Sequence, residues 1–257
     1  MTFALIGLLI LLALLGLPLF VALAGGSLLA TYNAGLDPAL LAVELNRLAS
    51  SPYLAAIPLF TLAGVVLAAG GAPQRMIQLF NASVGWLPGG MAGVAIASCA
   101  FFTAFSGASG VTILALGGLM FPMLVHAGYR ERFTLGLLTT SGSLGLMFAP
   151  SLAILLYGIV AGVSIDQMFL AGIFPGVLLM VMLGLYAMFI GRQANVPRHR
   201  FSFATLGKAV GEGFWDLLLP IGVLVGIFGG YVTISEASAC TAVYVILLEG
   251  VIHREIN

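Results

Sequence analysis

The sequence predicts an all-α, polytopic membrane protein that contains a re-entrant hairpin and a discontinuous helix. Hydrophobic residues make up 61% of the 257 positions and charged residues 7%, with a mean hydropathy of +1.17, well outside the range of soluble domains. The apolar residues form long unbroken runs rather than the ten-residue alternating segments of a membrane barrel. Two of those runs are interrupted by glycine, serine and proline, which survive at membrane depth only where protein or a lined cavity satisfies the backbone. Formal net charge is zero and the basic residues are scattered, which excludes a nucleic-acid footprint. Cys99 and Cys240 have no CxxC spacing and read as small buried hydrophobes.

The first run, 3–29, has no basic n-region and exceeds a signal-peptide core, so it is read as a retained span despite Ala22-Leu23-Ala24. About 27 residues make roughly 40 Å of helix, long enough to require tilting or a break near Gly16-Leu17-Pro18. Further apolar segments cover 54–69, 90–105, 111–125, 133–161, 168–190, 214–231 and 237–252. Polar or turn-rich connectors separate them, including 191–213 with Arg198-His199-Arg200. Trp86 and Trp215 lie near segment ends, where indole rings anchor at the interface.

Segments 90–105 and 111–125 flank Ser106-Gly107-Ala108-Ser109-Gly110-Val111-Thr112, in a stretch with no Asp, Glu, Lys or Arg between Arg75 and Arg130. Each arm offers about 15 residues, roughly 23 Å of helix, where a span needs about 30 Å. A hairpin over 87–125 that enters and leaves on one side accounts for both the length and the small polar tip; two tilted spans are the competing arrangement. Charge placement favours the hairpin. A non-crossing hairpin puts Arg75, Arg130, Arg132, Arg192, Arg198, Arg200, Lys208 and Arg254 on one face and only Arg47 on the other. That face, and with it the amino terminus, is expected to be cytoplasmic.

The second interruption, Ser141-Gly142-Ser143-Leu144-Gly145-Leu146-Met147-Phe148-Ala149-Pro150-Ser151, falls within 133–161. Proline removes a helical donor and crowds the preceding turn, so the segment is expected to break there; a plain kink is the alternative. Two breaks at similar depth supply helix N-termini for an anion, C-terminal carbonyls for a cation, and the hydroxyls of Ser106, Ser109, Thr112, Thr140, Ser141, Ser143 and Ser151. Neither break contains a titratable residue, so carbonyl- and hydroxyl-bound sodium is favoured over proton coupling. His126, His199 and His253 lie in connectors without HExxH or paired-carboxylate spacing, and Gly107 and Gly110 lack the Lys-Ser/Thr of a phosphate loop, so no enzyme is expected. Glu236 opens the last segment as an N-terminal capping residue.

The chain resembles the large membrane subunit of tripartite ATP-independent periplasmic (TRAP) transporters across essentially its whole length. The resemblance rests on Pro58-Leu59-Phe60 with Ala63-Gly64, Leu87-Pro88-Gly89-Gly90, Ser106-Gly107-Ala108-Ser109 followed by Ala115-Leu116-Gly117, and Gly145 through Ser151 continuing to Tyr157-Gly158. Gly162-Val163-Ser164, Phe169-Leu170-Ala171-Gly172 with Pro175-Gly176, and Gly229-Gly230 leading to Ser235-Glu236-Ala237 extend it. The resemblance implies an elevator-type, sodium-coupled helical transporter importing small organic acids such as C4-dicarboxylates across the bacterial inner membrane. Its implied partners are a periplasmic substrate-binding protein and a small membrane subunit. It further implies a first inverted repeat over 1–213 and the start of a second over 214–257, in a chain expected to be partial. The implied substrate-binding residues are Ser106, Gly107, Ser109 and Ser151. The implied cation ligands are Ser106, Gly107, Ser109, Ser143, Gly145 and Pro150. The sequence departs from the family at Thr112, where an acidic residue is often found, and at Ala149-Pro150-Ser151, where Pro-Pro-Ser is usual. A binding-protein-independent divalent-anion transporter and a non-transporting membrane scaffold are the alternatives.

Overall fold

The computed structural model describes residues 2–194 and 202–255, which leaves the Arg198-His199-Arg200 cluster outside the described residues. The chain divides into two compact units, Met1–Ser51 and Pro52–Asn257. In the first, α1 (Thr2–Leu14) and α2 (Leu19–Asn33) are followed by α3 (Ala39–Ala49), whose first turn is capped by Asp37 Oδ1 accepting from the Ala39 N–H at 2.9 Å. The run expected to be tilted or broken near Gly16-Leu17-Pro18 is broken there into two helices. Gly16, at φ +103°, and Pro18 stop the first and start the second, and a Cβ on Gly25 would stand 3.2 Å from a Leu9 methyl. The break is therefore a fold-back of α2 onto α1, and the side of the amino terminus cannot be counted through it as through a single crossing.

The second unit contains α4 (Ala56–Ala69), α5 (Ala72–Val84), α6 (Gly90–Ser106), α7 (Ser109–His126), α8 (Glu131–Leu144), α9 (Leu152–Ala161), α10 (Ile165–Gln193), α11 (Phe203–Glu212), α12 (Phe214–Phe228) and α13 (Ile234–Leu247). A short 3-10 turn, Pro52–Ala55, leads into α4, and a π-helical turn, Leu248–Ile252, extends α13. Among the described residues, four segments are long and apolar enough to cross a membrane: Pro52–Ala69, Ser109–His126, Ile165–Gln193 and Ile234–Ile252. The α8–α9 and α11–α12 pairs, bent by 45° and 69°, raise the number to as many as 6. Together they form the polytopic helical membrane architecture that composition predicts.

Packing fixes the two ends of this unit. At one end, Tyr53, Asp166, Thr233 and Glu236 line a common cavity of about 300 Å³, and Ser235 Oγ donates to the Pro52 carbonyl at 2.7 Å. Thr233 caps α13 in a capping box with Glu236, the role expected of Glu236. From there α10, with 29 residues and about 43 Å of rise, runs to the opposite end. At that end its Gly191 lies against Gly89 and the Tyr129 hydroxyl, and a Cβ on Gly128 would stand 3.7 Å from the Ala194 carbonyl. Gly89 precedes α6 and Gly128 follows α7, so both open ends of the α6–α7 hairpin sit beside the end of α10. Arg75, Arg130, Arg132, Arg192, Lys208 and Arg254 belong to the segments gathered at this same end.

The arms are longer than hydropathy suggests, 17 residues in α6 and 18 in α7, because Ser106 belongs to α6, and Ser109, Gly110 and His126 to α7. Length therefore does not separate a re-entrant hairpin from two spans, and Ser109–His126 is by itself long and apolar enough to cross a membrane.

Charge is concentrated at the same end. Arg75, on α5, pairs with Asp216 through Nε at 2.6 Å, with Glu249 through Nη2 at 2.6 Å and with Glu255 through Nη1 at 2.9 Å. Burial opposes the arginine charge, but the hydrogen bonds and negative charge of Asp216 outweigh it and hold its pKa above the ordinary value. Asp216 and Glu249 are buried, so one guanidinium joins α5 to the start of α12 and the end of α13. Arg75→Ala strands both carboxylates and is expected to destabilise the protein by about 3–5 kcal/mol, read as a lower unfolding midpoint in detergent.

Candidate functional site

The hairpin tip is built by a change of backbone handedness. Gly107 adopts the left-handed conformation at φ +62° and its N–H bonds the Thr103 carbonyl at 2.9 Å, which ends α6. Ala108 is extended and α7 begins at Ser109. Ser106 Oγ and Thr112 Oγ1 lie 3.1 Å apart, closing the turn from inside with both residues buried. Ser109 is half-buried.

The second break has a comparable logic. After α8 stops at Leu144, the chain makes a 3-10 turn, Gly145–Met147, and extends at Phe148. It then passes a cis Ala149–Pro150 bond and turns through Ser151, whose N–H donates to the Phe148 carbonyl at 2.9 Å, into α9. Pro150 thus marks a true discontinuity and not a kink.

The two breaks meet. A Cβ on Gly107 would collide with the Leu152 side chain, one on Gly145 would lie 2.5 Å from Thr103 Cβ and 2.8 Å from the Ala104 nitrogen, and one on Gly142 would lie 2.6 Å from Ile113. Gly64, midway along α4, supports the tip from behind: its Cβ would stand 2.5 Å from Ser106 Cα. At Gly64 and Gly145 glycine lets backbone approach backbone, whereas at Gly107 and Gly142 it makes room for the Leu152 and Ile113 side chains. The junction therefore brings together Ser106, Gly107, Ser109, Gly145, Pro150 and Ser151. Ser143 is different: its side chain is exposed, with Oγ 3.5 Å from the Thr139 carbonyl of its own helix.

Chemically the junction is neutral. The N-termini of α7 and α9 offer backbone N–H groups, and the C-termini of α6 and α8 offer carbonyls. Ser151 Oγ and Thr103 Oγ1 are buried without a hydrogen-bond partner. Thr103, one turn before Gly107, is a residue that the motif reading passed over; its signal was a hydroxyl at i−4 from the helix-ending glycine. Among the described residues no group of three or more His, Cys, Asp or Glu could hold a metal ion. Oxygen atoms without formal charge suit a monovalent hard cation, and helix N-termini suit an anion. The apolar cavity of about 310 Å³ between α12 and α13, bordered by Cys240, Thr241 and Tyr244, lies on other elements.

Residues 6–257 match the family model described as "Tripartite ATP-independent periplasmic transporter, DctM component". The chain belongs to this family. It is 36% identical over 213 residues to the C4-dicarboxylate TRAP transporter large permease protein DctM of Vibrio cholerae, covering 82% of this chain and 47% of that protein. It is 32% identical to the ectoine TRAP transporter large permease protein TeaC of Halomonas elongata, covering 100% and 61%. It is 35% identical to the isethionate TRAP transporter permease protein DctMQ of Oleidesulfovibrio alaskensis, covering 94% and 39%. The chain thus spans about half the length of the curated relatives it matches. In this DctM-family chain the family motifs Ala63-Gly64, Ser106-Gly107-Ala108-Ser109 and Gly145 through Ser151 converge on one point.

Gly64→Val is expected to push the tip away from α4 and destabilise the protein by about 1–3 kcal/mol, whereas Gly118→Ala, inside α7 with open space around it, does not lower the unfolding midpoint. Thermal unfolding of both variants in detergent checks the contrast.

Proposed function

We propose that this chain forms part of the membrane permease of a sodium-coupled secondary transporter that imports a small organic anion delivered by a periplasmic binding protein, and that a small membrane subunit accompanies it in the bacterial inner membrane. The observation that carries the proposal is the meeting of the hairpin tip with the α8–α9 break. It gathers helix ends of both polarities and partnerless buried hydroxyls around a site with no charged side chain.

In this reading the hairpin is re-entrant, and the end holding Arg75, Arg130, Arg132 and Arg192 faces the cytoplasm. Carbonyl and hydroxyl oxygens of Ser106, Gly107, Ser109, Ser143, Gly145 and Pro150 hold Na+, with the Ser143 contribution coming from its carbonyl because its side chain points outward. Ser106, Gly107, Ser109 and Ser151 take the substrate's anionic group, for which the α7 and α9 N-termini supply N–H donors. Named cargoes of the relatives, C4-dicarboxylate, ectoine and isethionate, all carry a carboxylate or sulfonate. A bound cation beside the anion lowers the cost of placing either in a dry junction, which is the physical basis of coupling. The elevator motion implied by the family would carry this junction as a unit.

The test is uptake into proteoliposomes containing the full-length permease and its small subunit. An inward Na+ gradient and the binding protein should both be required, and Ser106→Ala with Ser109→Ala should reduce uptake at least tenfold at subsaturating Na+, an effect of about 1.4 kcal/mol. Uptake that proceeds without the binding protein, or that a proton gradient drives as well as sodium does, overturns the reading.

A further inference from the structure

The transport junction leaves the Arg75 cluster unexplained. One guanidinium faces three carboxylates, Asp216, Glu249 and Glu255, so full ionisation would leave two uncompensated negative charges. Glu249 is completely buried; its Oε1 accepts from Arg75, but its Oε2 has no donor. Glu249 and Glu255 both pair with this one guanidinium, through Nη2 and Nη1, and lie against consecutive glycines, so the two carboxyls are neighbours. Two neighbouring carboxyls that share a single cation favour keeping a proton on one of them.

The backbone is shaped to admit the pair. Gly70 and Gly71 are consecutive, and a Cβ on the first would strike the Glu249 carboxyl while one on the second would strike the Glu255 carboxyl. The Gly71 N–H also donates to Glu255 Oε2 at 2.5 Å. Alanine at either glycine would close the cradle.

We propose that Glu249 and Glu255 form a proton-binding site, in which one proton shared between the two carboxyls completes the junction of α4–α5 with α12–α13. The acceptor in the pair is Glu255. Burial disfavours its charge, but hydrogen bonds from Arg75 and the Gly71 N–H outweigh that and hold it below the ordinary carboxylate range, so the proton rests on Glu249 Oε2. Other groups facing the pair are few: Arg75 from α5, Asp216 from the start of α12, and, at the rim of the adjoining cavity, Glu212 from α11 and His253. Neutral Gln74 and Gln78 complete the α5 side of that rim. Losing the proton leaves a buried, unpaired negative charge against a second carboxylate, so the junction is tight while the site is occupied and loosens as pH rises and empties it.

The site is separate from the neutral hairpin junction, and its test does not depend on transport. Infrared difference spectra of the purified protein in detergent, near neutral pH, should show a protonated carboxyl C=O band that Glu249→Gln removes. From about pH 6 to about pH 8 the wild-type unfolding midpoint should fall by about 3 °C, whereas Glu249→Gln, which holds the amide where the proton sat, should stay flat. A second variant, Gly70→Ala, should lose the band while keeping Glu249. The proposal is overturned if no such band is present, if Glu249→Gln retains the wild-type pH dependence, or if the midpoint follows Na+ concentration in place of pH, which would make the occupant a metal cation.

Discussion

A helix that stops inside a bilayer leaves backbone donors and acceptors that lipid cannot satisfy. Everything about the second unit is arranged around that constraint. The hairpin turn at Gly107 and the break at Gly145–Met147 each expose such groups, and they are placed against one another and against Gly64 of α4, where the only dry neighbour is more protein. Remove that mutual cover and neither discontinuity is tolerable at depth. Gly64 and Gly145 bring main chain close to main chain, and Gly107 and Gly142 admit the Leu152 and Ile113 side chains that fill the junction.

Much of this was legible in the sequence. A hydroxyl- and glycine-rich knot between charge-free arms marked the tip, and proline after a run of small residues marked the break. The contact between them was not, because it depends on which residues lack a Cβ at a tertiary approach, a property that hydropathy does not carry. Arm length misled by one residue in α6 and three in α7, mainly because glycine and serine at helix ends score as turn residues while adopting helical geometry. The run over 3–29 was legible in its break, which falls at Gly16 and Pro18 as one of the two expectations had it, but hydropathy did not show that α2 folds back onto α1. The Arg75 network was invisible for a simpler reason, as its partners lie 141, 174 and 180 positions away in sequence.

The molecule separates two electrostatic regimes. The hairpin junction presents helix-end dipoles and neutral oxygens, whose strength does not change with pH. The Arg75 cluster presents formal charges, whose balance does. α4 touches both, meeting the tip at Gly64 and the acidic pair at Gly70, so the two regimes share one helix while remaining chemically independent.

The two cysteines give that architecture an internal reporter. Cys99 is buried within α6, while Cys240 is exposed on α13 beside the apolar cavity against α12. Cys240 also lies within a segment long and apolar enough to cross a membrane, so whether a maleimide dye reaches it reports whether that stretch of α13 meets water or lipid. Whatever comes to rest in that cavity, lipid or polypeptide, announces itself by shielding one native side chain.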